Sequence, residues 1–256
     1  MIGVFDSGVG GLSVLAEIRA LMPDANLIYL ADRARAPYGT RTLGEVEQIS
    51  IEVSEWLVDR GATTLVVACN TASAAALETL RARFQGLPIV GMEPAVKPAA
   101  ARTRSGVIAV FATAATFQGR LFESVVSRHG IGVRVVARAC PAWVELVEGG
   151  LVAGQEVERS VGPVVTEVVG EGADVAVLGC THFSFLTPAI LSAVGKSLTL
   201  IDPAPAVAAQ TARVAVEPGD EGMLRLAVSG DPARLLHLAE SLAGVTTTLP
   251  VLELVR

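Results

Sequence analysis

Two cysteines stand at matching places in this chain, and each is followed by groups able to donate or accept a proton. GATTLVVACNTAS (residues 61–73) and GADVAVLGCTHFS (172–184) coincide at five positions without a gap. These are the leading Gly-Ala pair, a central Val, the Cys and the final Ser. Asn70 and Thr71 follow Cys69, and Thr181 and His182 follow Cys180. A lone buried cysteine is ordinarily an inert small hydrophobe, and a lone histidine is ordinarily structural. Recurrence at the ends of two similar apolar runs points to chemistry instead. The helix-like ASAAALETLRARF places Cys69 at a helix start, where the dipole is expected to lower its pKa. His182 falls within reach of the Cys180 thiol. Two thiols on opposite sides of a cleft, with neutral donors beside them, suit moving a proton between the two faces of a carbon. One thiolate removes the α-proton and the opposing thiol returns a proton from behind. An unperturbed thiol pKa near 8.5 brings either form within modest tuning.

Other constellations are weaker. DSGVGG (6–11) joins an apolar strand to a helix-like segment, but Ser13 stands where GxGxxG needs its third glycine, and no Walker lysine follows. Free N–H groups in this turn could hold an anion such as a carboxylate, and Asp6 and Ser7 are candidate helix caps. Cys140, in RACPAWVELVEGG, has no echo and reads as structural. Paired-ligand spacing for zinc is missing. Pyridoxal chemistry needs a positioned lysine. Lys97 lies between prolines and Lys196 follows Gly195 in a turn, so a cofactor-independent route is expected.

Strand-like runs (MIGVF, NLIYLA, TTLVVA, LPIVG, GVIAVF, VRVVARA, ADVAVLG and LTLID) alternate with helix-period segments such as LSVLAEIRALMP and VEQISIEVSEWLVDRG. This alternation predicts an α/β fold with mostly parallel sheets, whose ligands collect at strand carboxyl ends. A second echo reinforces the first: VFDSGVGG (4–11) and VFATAATF (110–117) are Val-Phe strand ends that open into small and hydroxyl residues. Asp6 precedes Cys69 by 63 residues and Ala112 precedes Cys180 by 68. Two echoes in one order predict two similar, pseudo-symmetric α/β domains with the site in the cleft between them. The 256 residues suffice for two cores. A net charge of −6 without a dense Lys/Arg cluster argues against a nucleic-acid partner. Apolar runs are too short for a membrane span. Three cysteines without CxxC, and no basic leader before MIGVFDSG, point to a reducing, cytoplasmic setting.

Together, FDSGVGGLSVL (5–15), YLADRARAPYG (29–39), VVACNTASA (66–74), GMEPAVKPA (91–99), CPAWVELVEGG (140–150) and GCTHF (179–183) resemble the cofactor-independent glutamate racemases of the aspartate/glutamate racemase superfamily. The likeness spans nearly the whole chain. It implies one domain from residues 1–96 plus 206–256 and another from 97–205. It implies that Cys69 and Cys180 are the acid/base thiols, deprotonating the D and L enantiomers respectively, with Asp6 and His182 assisting them. Substrate contacts would come from Asp6, Ser7, Tyr38, Gly39, Asn70, Thr71, Thr181 and His182, with Thr113 and Thr116 as further hydroxyls. Glu148 is a candidate for the same network. A homodimer, no cofactor, glutamate as substrate and D-glutamate for peptidoglycan are implied as well. Phe183 and Ser184 replace the usual Tyr-Pro after CTH, Ala36 a larger residue before PYG, and Glu145 a frequent Pro. The alternatives are a relative acting on aspartate or another amino acid, a thiol hydrolase using Cys180 and His182, and a non-catalytic binding protein.

Overall fold

Among the described residues, ten strands alternate with helices in two parallel sheets. The structure, a computed structural model, describes residues 1–130 and 132–254. In chain order the strands are β1 (Ile2–Asp6), β2 (Leu27–Ala31), β3 (Thr64–Val67), β4 (Ile89–Gly91), β5 (Val107–Ala112), β6 (Arg134–Ala139), β7 (Val175–Gly179), β8 (Thr199–Ile201), β9 (Leu224–Val228) and β10 (Leu252–Glu253). One sheet runs β10-β9-β2-β1-β3-β4 and the other β6-β5-β7-β8. Every pairing is parallel.

The order β2-β1-β3-β4 recurs as β6-β5-β7-β8, and the register recurs with it. Phe5 pairs with Val67 on β3, and Phe111 pairs with Leu178 on β7. Cys69 and Cys180 each lie two residues beyond those partners. Both sequence echoes therefore fall on structurally equivalent strands. The eight expected strands are present; β9 and β10 extend the first sheet beyond them.

Strand composition explains the layering. A parallel strand covered on both faces must be apolar throughout, and all residues of β1, β3 and β7 are buried. On β1, Ile2 and Val4 face a core that continues into the second half, whereas Phe5 faces a separate core under helix Leu43–Val58. That helix begins with a capping box: Thr42 Oγ1 accepts from Glu45 N–H, and Glu45 accepts from Thr42 N–H at 2.9 Å. Its Val46, Ile49, Val53 and Leu57 form the buried stripe. A third core, including Ile108, Val110, Val175 and Val177, covers the outer face of the second sheet. Across the shared core, Trp143 packs on Phe111 and Phe183 with ring centroids 5.1 and 5.0 Å apart. Phe183, unusual after the CTH triplet, is thus fully buried in this aromatic cluster. Among the described residues, no helix is long and apolar enough to cross a membrane.

Candidate active site

The carboxyl ends of β1 and β3 face those of β5 and β7 across one narrow cavity. The loop after β1 wraps around the buried carboxylate of Asp6. Its Oδ1 accepts from Ser7 N–H at 2.6 Å and from Ser7 Oγ at 3.2 Å. Its Oδ2 accepts from Gly11 N–H and from Thr181 Oγ1, the latter at 3.0 Å across the two halves. Val9 N–H donates to Glu148 Oε1 at 2.7 Å. The Ser7, Val9 and Gly11 N–H groups, read above as anion donors, are therefore occupied by the protein's own carboxylates. Nor do Asp6 and Ser7 cap the following helix, Leu12–Leu21; its N-cap is Gly11. Gly8 and Gly10 are small because a Cβ there would overlap Glu148 Oε1 and His182 Nδ1 respectively.

On one side of the cavity, Cys69 is the N-cap of helix Asn70–Arg83, and its Sγ accepts from Ala72 N–H at 3.5 Å. It also lies 3.9 Å from Ser7 Oγ. The amide nitrogen and oxygen of Asn70 are buried without a hydrogen-bond partner. Such orphaned groups are costly, and these border the cavity. Thr71 Oγ1 lies 2.9 Å from Thr113 Oγ1 and 3.3 Å from Thr116 Oγ1, with 2.9 Å between the last two. Three hydroxyls thus meet between the sheets. Thr113 lines the cavity and Thr116 stands behind it.

On the other side, Cys180 leaves β7 into a 3-10 turn, Thr181–Leu186, which brings His182 Nδ1 3.6 Å from its Sγ. His182 Nε2 pairs with Glu148 Oε1 at 2.8 Å, and Glu148 Oε2 accepts from Arg33 Nε at 3.0 Å. Tyr38 and Gly39 complete the wall. The Tyr38 hydroxyl donates to the buried carboxylate of Asp32 at 2.5 Å, so it is not free for a ligand. Arg35 Nε and Ser229 Oγ bind the same carboxylate. Asp6, Ser7, Cys69, Cys180, Thr181 and His182 line the cavity with these residues, and so do Pro37 and Val144. Its volume is about 20 Å³, room for roughly one water, so an amino acid enters only when the walls move. Pro37, Gly39, Thr113 and Val144 separate it from an outer cleft of about 440 Å³ that Glu145 also lines.

Comparison with known proteins assigns a lineage to this arrangement. Residues 12–211 match the family described as Asp/Glu/Hydantoin racemase. The chain belongs to that family. It is similar to a glutamate racemase of Roseiflexus sp. (strain RS-1), 47% identical over 248 residues, covering 94% of this chain and 91% of the relative. Its fold is similar to that of Bacillus anthracis glutamate racemase isoform RacE1, with TM-score 0.83, 30% identity and coverage of 99% and 97% of the two chains. It is also similar to Escherichia coli glutamate racemase in complex with L-glutamate and the activator UDP-MurNAc-ala, with TM-score 0.84, 29% identity and coverage of 98% and 96%. The protein is therefore a racemase, an isomerase.

Burial dominates the electrostatics around Cys69 in this racemase. Burial first, and the nearby Asp6 charge second, push the Cys69 thiol well above its ordinary pKa. The helix start does supply a stabilising N–H, from Ala72, but these effects outweigh it, contrary to the lowered pKa expected from sequence. Burial likewise raises the Asp6 carboxyl, against the opposing pull of His182. Burial opposes the charged form of His182, yet its contacts with Cys180 and Glu148 prevail and hold it well above 6.5. Glu148 is held down at about 2: desolvation opposes ionisation, but His182, Val9 N–H and Arg33 overcome it. Cys140 is buried outside the cavity, and burial pushes its thiol up to about 12, as befits a structural residue. Arg33, Asp32 and Arg35 were not legible as site residues, although all three sit in the YLADRARAPYG motif.

Proposed function

We propose that this racemase interconverts L- and D-glutamate by two-thiol proton transfer without a cofactor. Equivalent cysteines at the ends of β3 and β7, lining one cavity from opposite halves, carry the proposal. The Roseiflexus and Escherichia coli relatives, named as glutamate racemases, support the substrate. Cys180 as thiolate takes the α-proton of L-glutamate, leaving a carbanion at the α-carbon. Cys69, a neutral thiol by burial, gives its proton to the opposite face, and D-glutamate forms with Cys69 left as thiolate. The reverse reaction exchanges these roles, with Asp6 and His182 as the neighbouring proton-holding groups. Asn70, Thr71, Thr113 and Thr181 are assigned to the substrate's polar groups, supported by the orphaned Asn70 amide. Ser7, Gly39 and the non-hydroxyl part of Tyr38 shape the pocket, and Thr116 supports the hydroxyl cluster.

The domain division is proposed as 1–96 plus 206–256 and 97–205, since each sheet's strands fall within one of these sets. A homodimer, a cytoplasmic location and use of D-glutamate in peptidoglycan are proposed on the family resemblance. The test is incubation of purified protein with L-glutamate in D2O without added cofactor, following optical rotation and α-proton exchange. Loss of rotation with deuterium in the product enantiomer is expected. Exchange with aspartate but not glutamate would overturn the substrate while sparing the mechanism. Dependence on added pyridoxal phosphate would overturn the mechanism.

A further inference from the structure

Glu148 belongs to the half of the molecule that carries Cys180, but most of its support comes from the other half. It ends helix Pro141–Glu148, beside the second sheet. Its Oε1 is shared between His182 Nε2 and the N–H of Val9, and its Oε2 is held by Arg33 Nε. Arg33 also reaches the Glu148 carbonyl at 3.5 Å, and Arg234 reaches it at 3.0 Å. Val9, Arg33 and Arg234 all come from segments of the first sheet's half. The Arg33 and Glu148 side chains are only 15% and 17% exposed, so their pairing is less screened than a surface ion pair.

Admission of an amino acid to a cavity of about 20 Å³ requires the walls to part. Groups that bridge the halves loosen when they separate, and Glu148 then keeps only its contact with His182. We propose that Arg33 is a positioning residue for the Cys180 half of the reaction. From the first half it fixes Glu148, which orients His182 on the Cys180 thiol only when the site is closed. This inference rests on the racemase reading above and adds a coupling between closure and one of the two thiols. Cys69 has no bridging ion pair of this kind: Ser7 and Ala72 come from its own half, and the Asp6 carboxylate beside it is joined to the other half by a single hydroxyl, Thr181 Oγ1.

Because the two enantiomers have equal free energy, kcat/KM must stay equal in both directions, and rates alone do not reveal which thiol is impaired. Primary isotope effects do. Arg33→Met and Arg33→Lys should be assayed with glutamate deuterated at the α-carbon, starting separately from each enantiomer. Arg33→Met is expected to slow racemisation roughly ten- to hundred-fold through loss of a charged hydrogen bond. The isotope effect should rise with L-glutamate, where Cys180 removes the deuteron, and fall with D-glutamate. Arg33→Lys should recover part of the rate. Should Arg33→Met fail to fold, Arg33→Lys carries the same comparison, with smaller shifts in the same senses. Opposite shifts with the enantiomers exchanged would uphold Arg33's role and reassign the thiols. Isotope effects that move together, or stay at wild-type values, would overturn the inference. Wild-type protein inert toward glutamate would instead overturn the racemase reading.

Discussion

Asp6→Asn tests whether a buried carboxylate holds the β1 loop in shape. Asp6 Oδ1 accepts from Ser7 N–H and Oδ2 from Gly11 N–H, so both oxygens face backbone donors. An amide presents one oxygen and one NH2, and in either orientation the NH2 faces a backbone N–H. One donor loses its acceptor and the amide nitrogen is left opposed to it. Each buried unsatisfied group costs about 1–3 kcal/mol, and the pair about 2–6 kcal/mol. Removing a desolvated charge offsets part of that cost, since burial is what raises the Asp6 carboxyl. A net loss of about 2 kcal/mol follows, a fall in Tm of roughly 4–8 °C for a protein of this size. Thermal unfolding followed by circular dichroism at neutral pH reads this directly. Wild-type Tm in Asp6→Asn would refute the claim that the carboxylate organises the loop. Activity should fall further than stability does, because the same carboxylate is the proton-holding neighbour of Cys69.

Cys69→Ala and Cys180→Ala should each lower racemisation by at least about 10²-fold in a polarimetric assay, since each removes one of two required acid/base groups; racemisation surviving in either variant would refute the two-thiol mechanism. The Glu148–His182 pair predicts a stability profile with two edges. Glu148 is depressed from 4.5 to about 2, so its contribution is complete above pH 4.5 and is lost as pH falls toward 2. His182 is raised above 6.5, so its contribution is complete below 6.5 and is lost as pH rises through its folded value. Both are fully present between those limits, and Glu148→Gln should lower the urea midpoint there by the equivalent of about 2 kcal/mol and flatten the acid edge. An unchanged acid edge would contradict the pairing.

Much was legible because local pattern is enough for it. Continuous apolar runs marked the parallel strands, and the two echoes marked equivalent strand ends that the register of Phe5 on Val67 and Phe111 on Leu178 bears out. β9 escaped notice because Arg225 interrupts its run with an exposed charge, and β10 is only two residues long. Chemistry-bearing residues adjacent in sequence to the thiols were found from the residues alone; Asp6, Tyr38, Glu148, Thr113 and Thr116 joined their network only through the family resemblance, and Asp32 and Arg33 were not found. Asp32 supports Tyr38 through a hydroxyl contact that no spacing rule announces, and Arg33 meets Glu148 across 115 residues.

The amino-acid sequence by itself determined the α/β alternation, the duplication and the pair of thiols, because these depend on period, composition and repetition along the chain. Only the tertiary structure decided which groups occupy the loop N–H donors, since Val9 finds its acceptor 139 residues away. It alone decided that Cys69 is raised rather than lowered, because desolvation and the Asp6 charge act through burial and proximity. A helix start is a local property, whereas the medium around a thiol belongs to the whole fold.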